Sequence, residues 1–278
     1  MMSVKRINQQ VWTMFDILRG KIGSQDYHII LLFMSLYKDD QIDKDFLFLS
    51  DKERNLELVR KLVASNSDKH IQAYSKIIKC FSTSLSNLRN LDFQKFINTL
   101  FQIDKEILQE NFAEVFDATL YLIVQSQGKY SGGFIQPKEL TRFIYSLVDL
   151  PEQSKIFNPF AGVASFDVIF NKDQNYFGQE INQQTWAIGA LRIMAYNKQT
   201  TSSYKCKDSI VNWPNQSEKF DLIVANPPFG LRLPNKLSDI RTVERFFIER
   251  GLNSLTAKGK LIALLPHGFL FRGGELNR

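Results

Sequence analysis

The chain has 278 residues, 44% of them hydrophobic and 23% charged, enough to bury a real core in one large or two modest domains; a peptide hormone and a disulfide-stapled miniprotein are excluded. Two cysteines, Cys80 and Cys206, and three histidines, His28, His70 and His267, are scattered without metal-ligand spacing. They predict a reducing compartment and no His/Cys metal centre, leaving carboxylate-only sites open. The formal charge of +6 lies wholly in residues 129–278, with 19 basic and 13 acidic side chains against 16 of each in residues 1–128. Such a bias fits a polyanionic partner and, equally, an ordinary solvated surface.

The start of the chain, Met1 to Gln10, is polar and has no apolar signal-like core. The longest uninterrupted apolar run, Ile29 to Met34, is far too short to span a bilayer, so a soluble, cytoplasmic protein with no membrane partner is expected. From Ile7 to Val124 apolar residues recur at helical spacing: Val11, Phe15, Leu18; Ile29, Leu32, Phe33, Leu36; Ile77, Phe81, Leu85, Leu88. This predicts a helical domain over residues 1–128, with connections near Gly20–Ser24, Tyr37–Lys44 and Ser65–Lys69 and a last helix near Ala113–Gln125. The stretch from Gly128 to Gly133 is rich in breakers and marks the boundary to a second domain, residues 129–278.

In that second domain short β-like runs alternate with helical patterns. Strands are predicted at 155–158, 175–178, 204–206, 221–225 and 260–265, with helices at about Gln183–Tyr196 and Thr242–Leu255. Apolar strands separated by helices predict an α/β fold whose parallel sheet is covered on both faces. Ligands of such sheets bind beyond the carboxyl ends of the strands, at the topological switch point.

Three segments fall at those ends. Asn158-Pro159-Phe160-Ala161-Gly162-Val163-Ala164-Ser165-Phe166 is a small-residue turn expected to open a helix, where free N–H groups favour polar or anionic ligands; packing alone also produces such turns. It lacks the GxGxxG spacing of a pyrophosphate loop. Glu180 ends the next strand, about 20 positions further on, where a carboxylate can accept hydrogen bonds from ribose hydroxyls or simply begin a helix at the surface. Asn226-Pro227-Pro228-Phe229 follows the apolar strand Asp221–Ala225. Two prolines stop the ladder and fix the backbone, holding the Asn226 side chain and the Pro227 carbonyl as neighbouring acceptors beside an aromatic ring.

The Asn-Pro-Pro-Phe string resembles the fourth motif of S-adenosylmethionine-dependent amino-methyltransferases. Gly132-Gly133-Phe134-Ile135-Gln136-Pro137-Lys138-Glu139-Leu140 resembles the Gly-x-Phe-Tyr-Thr-Pro-x-x-Leu element of N6-adenine DNA methylases, with Ile135-Gln136 in place of Tyr-Thr. Gly259 to Phe271, followed by Arg272-Gly273-Gly274-Glu275, is similar to that family's fifth-strand segment, and Leu18-Arg19-Gly20 sits in a helical domain ahead of it. The whole order resembles the methylation subunit of type I restriction-modification systems.

The resemblance implies a helical N-terminal domain followed by a Rossmann-like class I methyltransferase sheet. After Arg278 it implies another helix and the antiparallel strands that complete the sheet, so the sheet is expected to lack its last strands. S-adenosylmethionine is the implied cofactor. Gly133, Phe134, Ile135, Gln136 and Pro137, with Asn158, Pro159, Phe160, Gly162, Val163, Ala164 and Ser165, would surround its methionine part; Glu180 would hold the ribose and Asp208 would lie near the adenine ring. Asn158 stands where the family usually has an acidic residue, and Ala164 and Ser165 where it often has glycine. Asn226, Pro227 and Phe229 would receive an adenine flipped out of double-stranded DNA and support methyl transfer to its N6 amine. After Phe229 nine basic residues (Arg232, Lys236, Arg241, Arg245, Arg250, Lys258, Lys260, Arg272 and Arg278) stand against four acidic ones (Asp239, Glu244, Glu249 and Glu275), an excess that favours phosphate contacts, with some of these charges on the solvated face of the helix from Thr242. No base-reading module is present in the sequence, so target choice would come from a specificity subunit, alongside a restriction subunit. Competing readings are methyl transfer to RNA or to a glutamine amide, and a catalytically inactive cofactor-binding or subunit-docking fragment; a dinucleotide oxidoreductase is disfavoured by the missing GxGxxG.

Overall fold

The computed structural model describes residues 2–43, 69–127, 135–170, 173–233, 242–269 and 271. They form two compact units, Met1–Ile135 with Gln183–Asn197 and Gln136–Asn182 with Lys198–Arg278. No helix among the described residues is long and apolar enough to cross a membrane.

The first unit is helical. Its helices are α1 (Met2–Leu18), α2 (Ile29–Lys38), α3 (Lys69–Cys80), α4 (Ser82–Asn87), α5 (Asn90–Leu100), α6 (Lys105–Glu110), α7 (Phe112–Ser126) and, from later in the chain, α9 (Gln183–Ala195). In α1 the residues Ile7, Val11, Met14, Phe15 and Leu18 form one buried stripe, as their spacing predicts. Helix α2 differs: every residue from Ile29 to Tyr37 is buried, the mark of a central helix enclosed by others. Phe33 meets Phe93 and Phe96 of α5 edge to face, at 5.4 and 5.5 Å between ring centroids. At the α7–α9 contact Arg192 and Asp117 form a fully buried ion pair, 2.8 Å from Nε to Oδ1, and the Tyr196 hydroxyl donates to Asp117 Oδ2 at 2.7 Å.

The second unit holds five parallel strands, β1 (Lys155–Asn158), β2 (Asn175–Glu180), β3 (Ser202–Cys206), β4 (Phe220–Ala225) and β5 (Leu255–Ala263), ordered β3-β2-β1-β4-β5. It also contains α8 (Lys138–Ser146) and α10 (Val243–Asn253). The chain steps outward from β1 to β3 and then returns to the other side of β1, so the switch point lies between β1 and β4. Alternation along β4 sends Leu222 and Val224 to one face, with Ile156, Tyr176 and Ile144, and Ile223 and Ala225 to the other, with Phe157 and Phe247. Both faces are thus buried, which accounts for the uninterrupted apolar runs.

Two elements differ from the sequence-based expectation. Residues 162–169 form successive turns where a helix was predicted after Asn158. Gly162 and Ala164 both have positive φ (55° and 56°), a left-handed conformation that an α-helix cannot propagate. Strand β5 begins at Leu255 rather than Lys260. Its register against β4 is irregular, Phe220 facing Leu255 while Leu222 faces Lys260, so Thr256 to Gly259 bulge out ahead of the predicted strand. The Thr256 hydroxyl donates to Asp221 Oδ1 at 3.1 Å and the Lys155 N–H to Asp221 Oδ2 at 2.9 Å, tying the bulge to β1 and β4.

Candidate functional site

Parallel pairing brings Asn158, Glu180, Cys206 and Ala225 to the same end of the sheet, and the loops that follow these strands hold one another. After β1, the Ala161 N–H donates to the Gln179 carbonyl at 2.9 Å. The Gly162 N–H donates to Glu180 Oε2 at 3.0 Å, and the Tyr204 hydroxyl donates to the Gly162 carbonyl. The positive φ at Gly162 is what aims its N–H at the end of β2. Glu180 Oε1 accepts the Asn182 N–H at 2.7 Å. After β3, Ser209 is buried with its hydroxyl 2.5 Å from the Pro159 carbonyl and 2.6 Å from Gln179 Oε1. The Asp208 carboxylate accepts the Ile210 N–H at 2.8 Å and so shapes its own loop.

The electrostatics centre on Glu180. Partial burial pushes its carboxyl above the ordinary value of 4.5, opposed by the N–H groups of Asn182, Gly162 and Ile181. Oε2 accepts the Gly162 N–H and Oε1 that of Asn182, and a carboxylate offers about four lone-pair sites, so acceptor capacity remains for a hydroxyl donor. Burial, reinforced by the Glu180 charge, holds the Tyr204 phenol well above its usual range, so it stays a donor to Gly162.

Asn158 is buried, and its side-chain oxygen accepts the Phe160 N–H at 3.0 Å. Val163, Ala164 and Ser165 are also buried. These four therefore set the path of the turn, whose N–H groups at Phe160, Ala161, Gly162 and Ala164 donate to Asn158 Oδ1, the Gln179 carbonyl, Glu180 Oε2 and the Ala161 carbonyl, so the free N–H groups expected of a helix start are engaged within the protein. Gln136 is buried and Pro137 caps α8 in the sheet unit, whereas Ile135 groups with the helical unit. Gly133 and Phe134 lie outside the described residues, as do Lys236, Asp239, Arg241, Arg272, Glu275 and Arg278.

Beyond β4, Pro227 is buried, Asn226 is half-buried and Phe229 is exposed. The floor under this corner is one apolar cluster in which Phe160 from the β1 loop, Ile210 and Trp213 from the β3 loop, and Leu233, Val243 and Phe246 meet. It fixes the three loops against each other. A neighbouring cavity of about 410 Å³, lined by residues such as Phe177, Gln179, Lys205, Lys207, Asn212 and Trp213, contains none of the expected cofactor residues.

Sequence reasoning missed several contributors. Ile181, directly after Glu180, is exposed and offers an apolar face beside the carboxylate; an isolated isoleucine ahead of a polar helix start was the available signal. Ser209, Tyr204 and Glu244 act through contacts distant in the chain and left no local signal. Among the described residues no group of His, Cys, Asp and Glu is placed to hold a metal ion.

The five-stranded order and its strand-end site define a class I methyltransferase fold, shared with a Listeria monocytogenes protein described as a class I S-adenosylmethionine-dependent methyltransferase. That match has a TM-score of 0.54 and 15% identity, covering 87% of this chain and 75% of that one. Closer in shape is the type I restriction-modification system methyltransferase subunit of Streptococcus thermophilus, at TM-score 0.70 and 18% identity over 98% of this chain and 76% of that one. The N-6 DNA Methylase family matches residues 108–278, and the chain belongs to that family. It is 25% identical over 225 residues to the methylase subunit of the type I restriction enzyme EcoEI of Escherichia coli, covering 70% of this chain. The chain spans 45% of that relative's length.

Proposed function

We propose that this chain transfers a methyl group from S-adenosylmethionine to the N6 amine of adenine in DNA, as the modification subunit of a type I restriction-modification system. The observation that carries the reading is the Asn226-Pro227-Pro228-Phe229 corner, which leaves β4 beside the switch point in a chain of the N-6 DNA Methylase family.

The adenine amine is a poor nucleophile because its lone pair is delocalised into the ring. The Asn226 side-chain oxygen and the Pro227 carbonyl accept its two N–H bonds, which lets the nitrogen pyramidalise and aims its lone pair. Catalysis is then positioning and electrostatic stabilisation without a covalent enzyme intermediate. Bound S-adenosylmethionine supplies an electrophilic methyl group. The residues present fit that cofactor: Glu180 retains acceptor capacity for a ribose hydroxyl and the exposed Ile181 offers an apolar surface to the adenine. Asp208 lies on the adjoining β3 loop.

The target amine is out of reach inside a duplex, so the base must flip, at a cost of a few kcal/mol, and the exposed Phe229 ring is available to stack on it. Among the described cations after Phe229, the exposed Arg232, directly after the corner, is available for phosphate contact, whereas Lys258 lies in the bulge at the amino end of the strands and Lys260 faces Leu222. Arg245 pairs with Glu249 at 2.7 Å and Arg250 lies over the Phe246 ring, so both belong mainly to the surface of α10. A specificity subunit is the partner this reading requires for target choice, and a restriction subunit is the further partner that the family resemblance suggests.

Tritium transfer from labelled cofactor to duplex DNA, RNA and a glutamine-bearing protein, run in parallel with a type I specificity subunit present, tests the reading. Label is expected in DNA alone, at adenine N6. Label in RNA or protein, or none in DNA, overturns it.

A further inference from the structure

The turn after Pro228 is held by a side chain outside the motif. Gly230 adopts φ +70°, and its N–H donates to Glu244 Oε1 at 2.6 Å. Glu244 sits in the first turn of α10 and is only 3% exposed. Two backbone contacts close the same ring: the Val243 N–H donates to the Leu231 carbonyl at 3.0 Å, and Arg232 bridges Thr242 in antiparallel fashion. Phe229, directly before the clamped glycine and 57% exposed, is therefore presented to solvent from a fixed backbone.

A carboxylate is a costly way to fill such a place. Its second oxygen, Oε2, is buried without a hydrogen-bond partner among the described residues, and taking a polar oxygen out of water unpaired is unfavourable. Burial alone would favour an apolar side chain at this position. What the glutamate adds is the bond from the Gly230 amide, which determines where the Phe229 ring stands.

We infer that Glu244 is a positioning residue for methyl transfer: acting through the Gly230 amide, it holds the Phe229–Gly230 turn in the geometry that receives the target base. The inference rests on the adenine-N6 reading above and adds a residue that lies outside the Asn-Pro-Pro-Phe motif.

The full chain is compared with Glu244→Met, which keeps the volume and removes the acceptor, and Glu244→Gln, which keeps an acceptor oxygen. The readouts are kcat and KM for transfer to DNA, the cofactor dissociation constant, the melting temperature, and hydrogen exchange of the Gly230 amide. Glu244→Met is expected to lower kcat by up to about a hundredfold, the scale of a small misplacement. It should leave cofactor affinity and melting unchanged while Gly230 exchange accelerates. Glu244→Gln should restore both kcat and protection. Wild-type kcat in Glu244→Met, equal losses in the two variants, or a Met variant that does not fold each overturn the inference. If the unaltered chain transfers nothing to DNA, the functional reading fails separately, and exchange still decides the role of Glu244: equal Gly230 protection in all three proteins overturns it, and loss confined to Glu244→Met supports the clamp.

Discussion

Glu180 Oε2 accepts the Gly162 backbone N–H at 3.0 Å, so the acid at the end of β2 and the glycine turn after β1 are one structural unit. A substitution at Glu180 therefore acts twice, removing a ligand acceptor and freeing the turn. Glu180→Ala is expected to weaken S-adenosylmethionine binding by about 1.5–3 kcal/mol, roughly ten- to a hundredfold in Kd by calorimetry. An unchanged Kd would refute the ribose role.

The same carboxyl gives a pH signature. Because burial raises its folded value above 4.5, the native state binds this proton more tightly than the unfolded chain. Any stability it contributes is present below 4.5 and is lost as pH rises through the raised value. The stability of the wild type relative to Glu180→Gln should accordingly fall as pH rises through that window. Cofactor affinity should run the other way, weakening on acidification at a higher pH than an ordinary carboxylate gives. Denaturant melts and calorimetry across that range check both directions.

Much of the sheet unit was legible in the sequence. Lys155–Asn158 and Asp221–Ala225 are apolar runs buried on both faces, and their punctuation by Asn158-Pro159 and Asn226-Pro227 marks the strand ends correctly. The helix after Asn158 was misread because composition does not reveal the left-handed backbone at Ala164. The start of β5 was placed at Lys260 because Thr256-Ala257-Lys258-Gly259, which bulges within the strand, lacks the apolar run that marks the rest of it. Helical periodicity placed α9 well, but an apolar stripe does not state its partner, and α9 groups with the helical unit. A clue did exist there: Arg192 stands alone in the apolar run Ala190–Ala195, where a charge calls for a buried partner, and that partner, Asp117, is 75 positions away.

Breaking that buried pair should destabilise the helical unit. Removing one member, as in Arg192→Met or Asp117→Leu, leaves the other charge buried and unpaired and should cost about 3–5 kcal/mol in denaturant melts. The double variant should cost less than the two single ones combined, because they share one interaction. Additive losses would show that Asp117 and Arg192 do not depend on each other.

His28 provides an acid-sensitive point in the same unit. Its Nδ1 lies 3.0 Å from the Gln25 carbonyl, and burial lowers its pKa below 6.5, so it is held neutral. The unfolded state then binds the proton more readily, and stability should decline as pH falls below 6.5. His28→Gln should flatten that part of the melting-temperature profile. A profile identical to the wild type would remove His28 from the account.

The most direct test of the account is methyl transfer by Asn226→Ala, measured as tritium incorporated into duplex DNA beside the cofactor dissociation constant of the same preparation. The account predicts incorporation reduced to background with cofactor affinity unchanged, because Asn226 accepts from the target amine and does not hold the cofactor. Incorporation at the wild-type rate would contradict it.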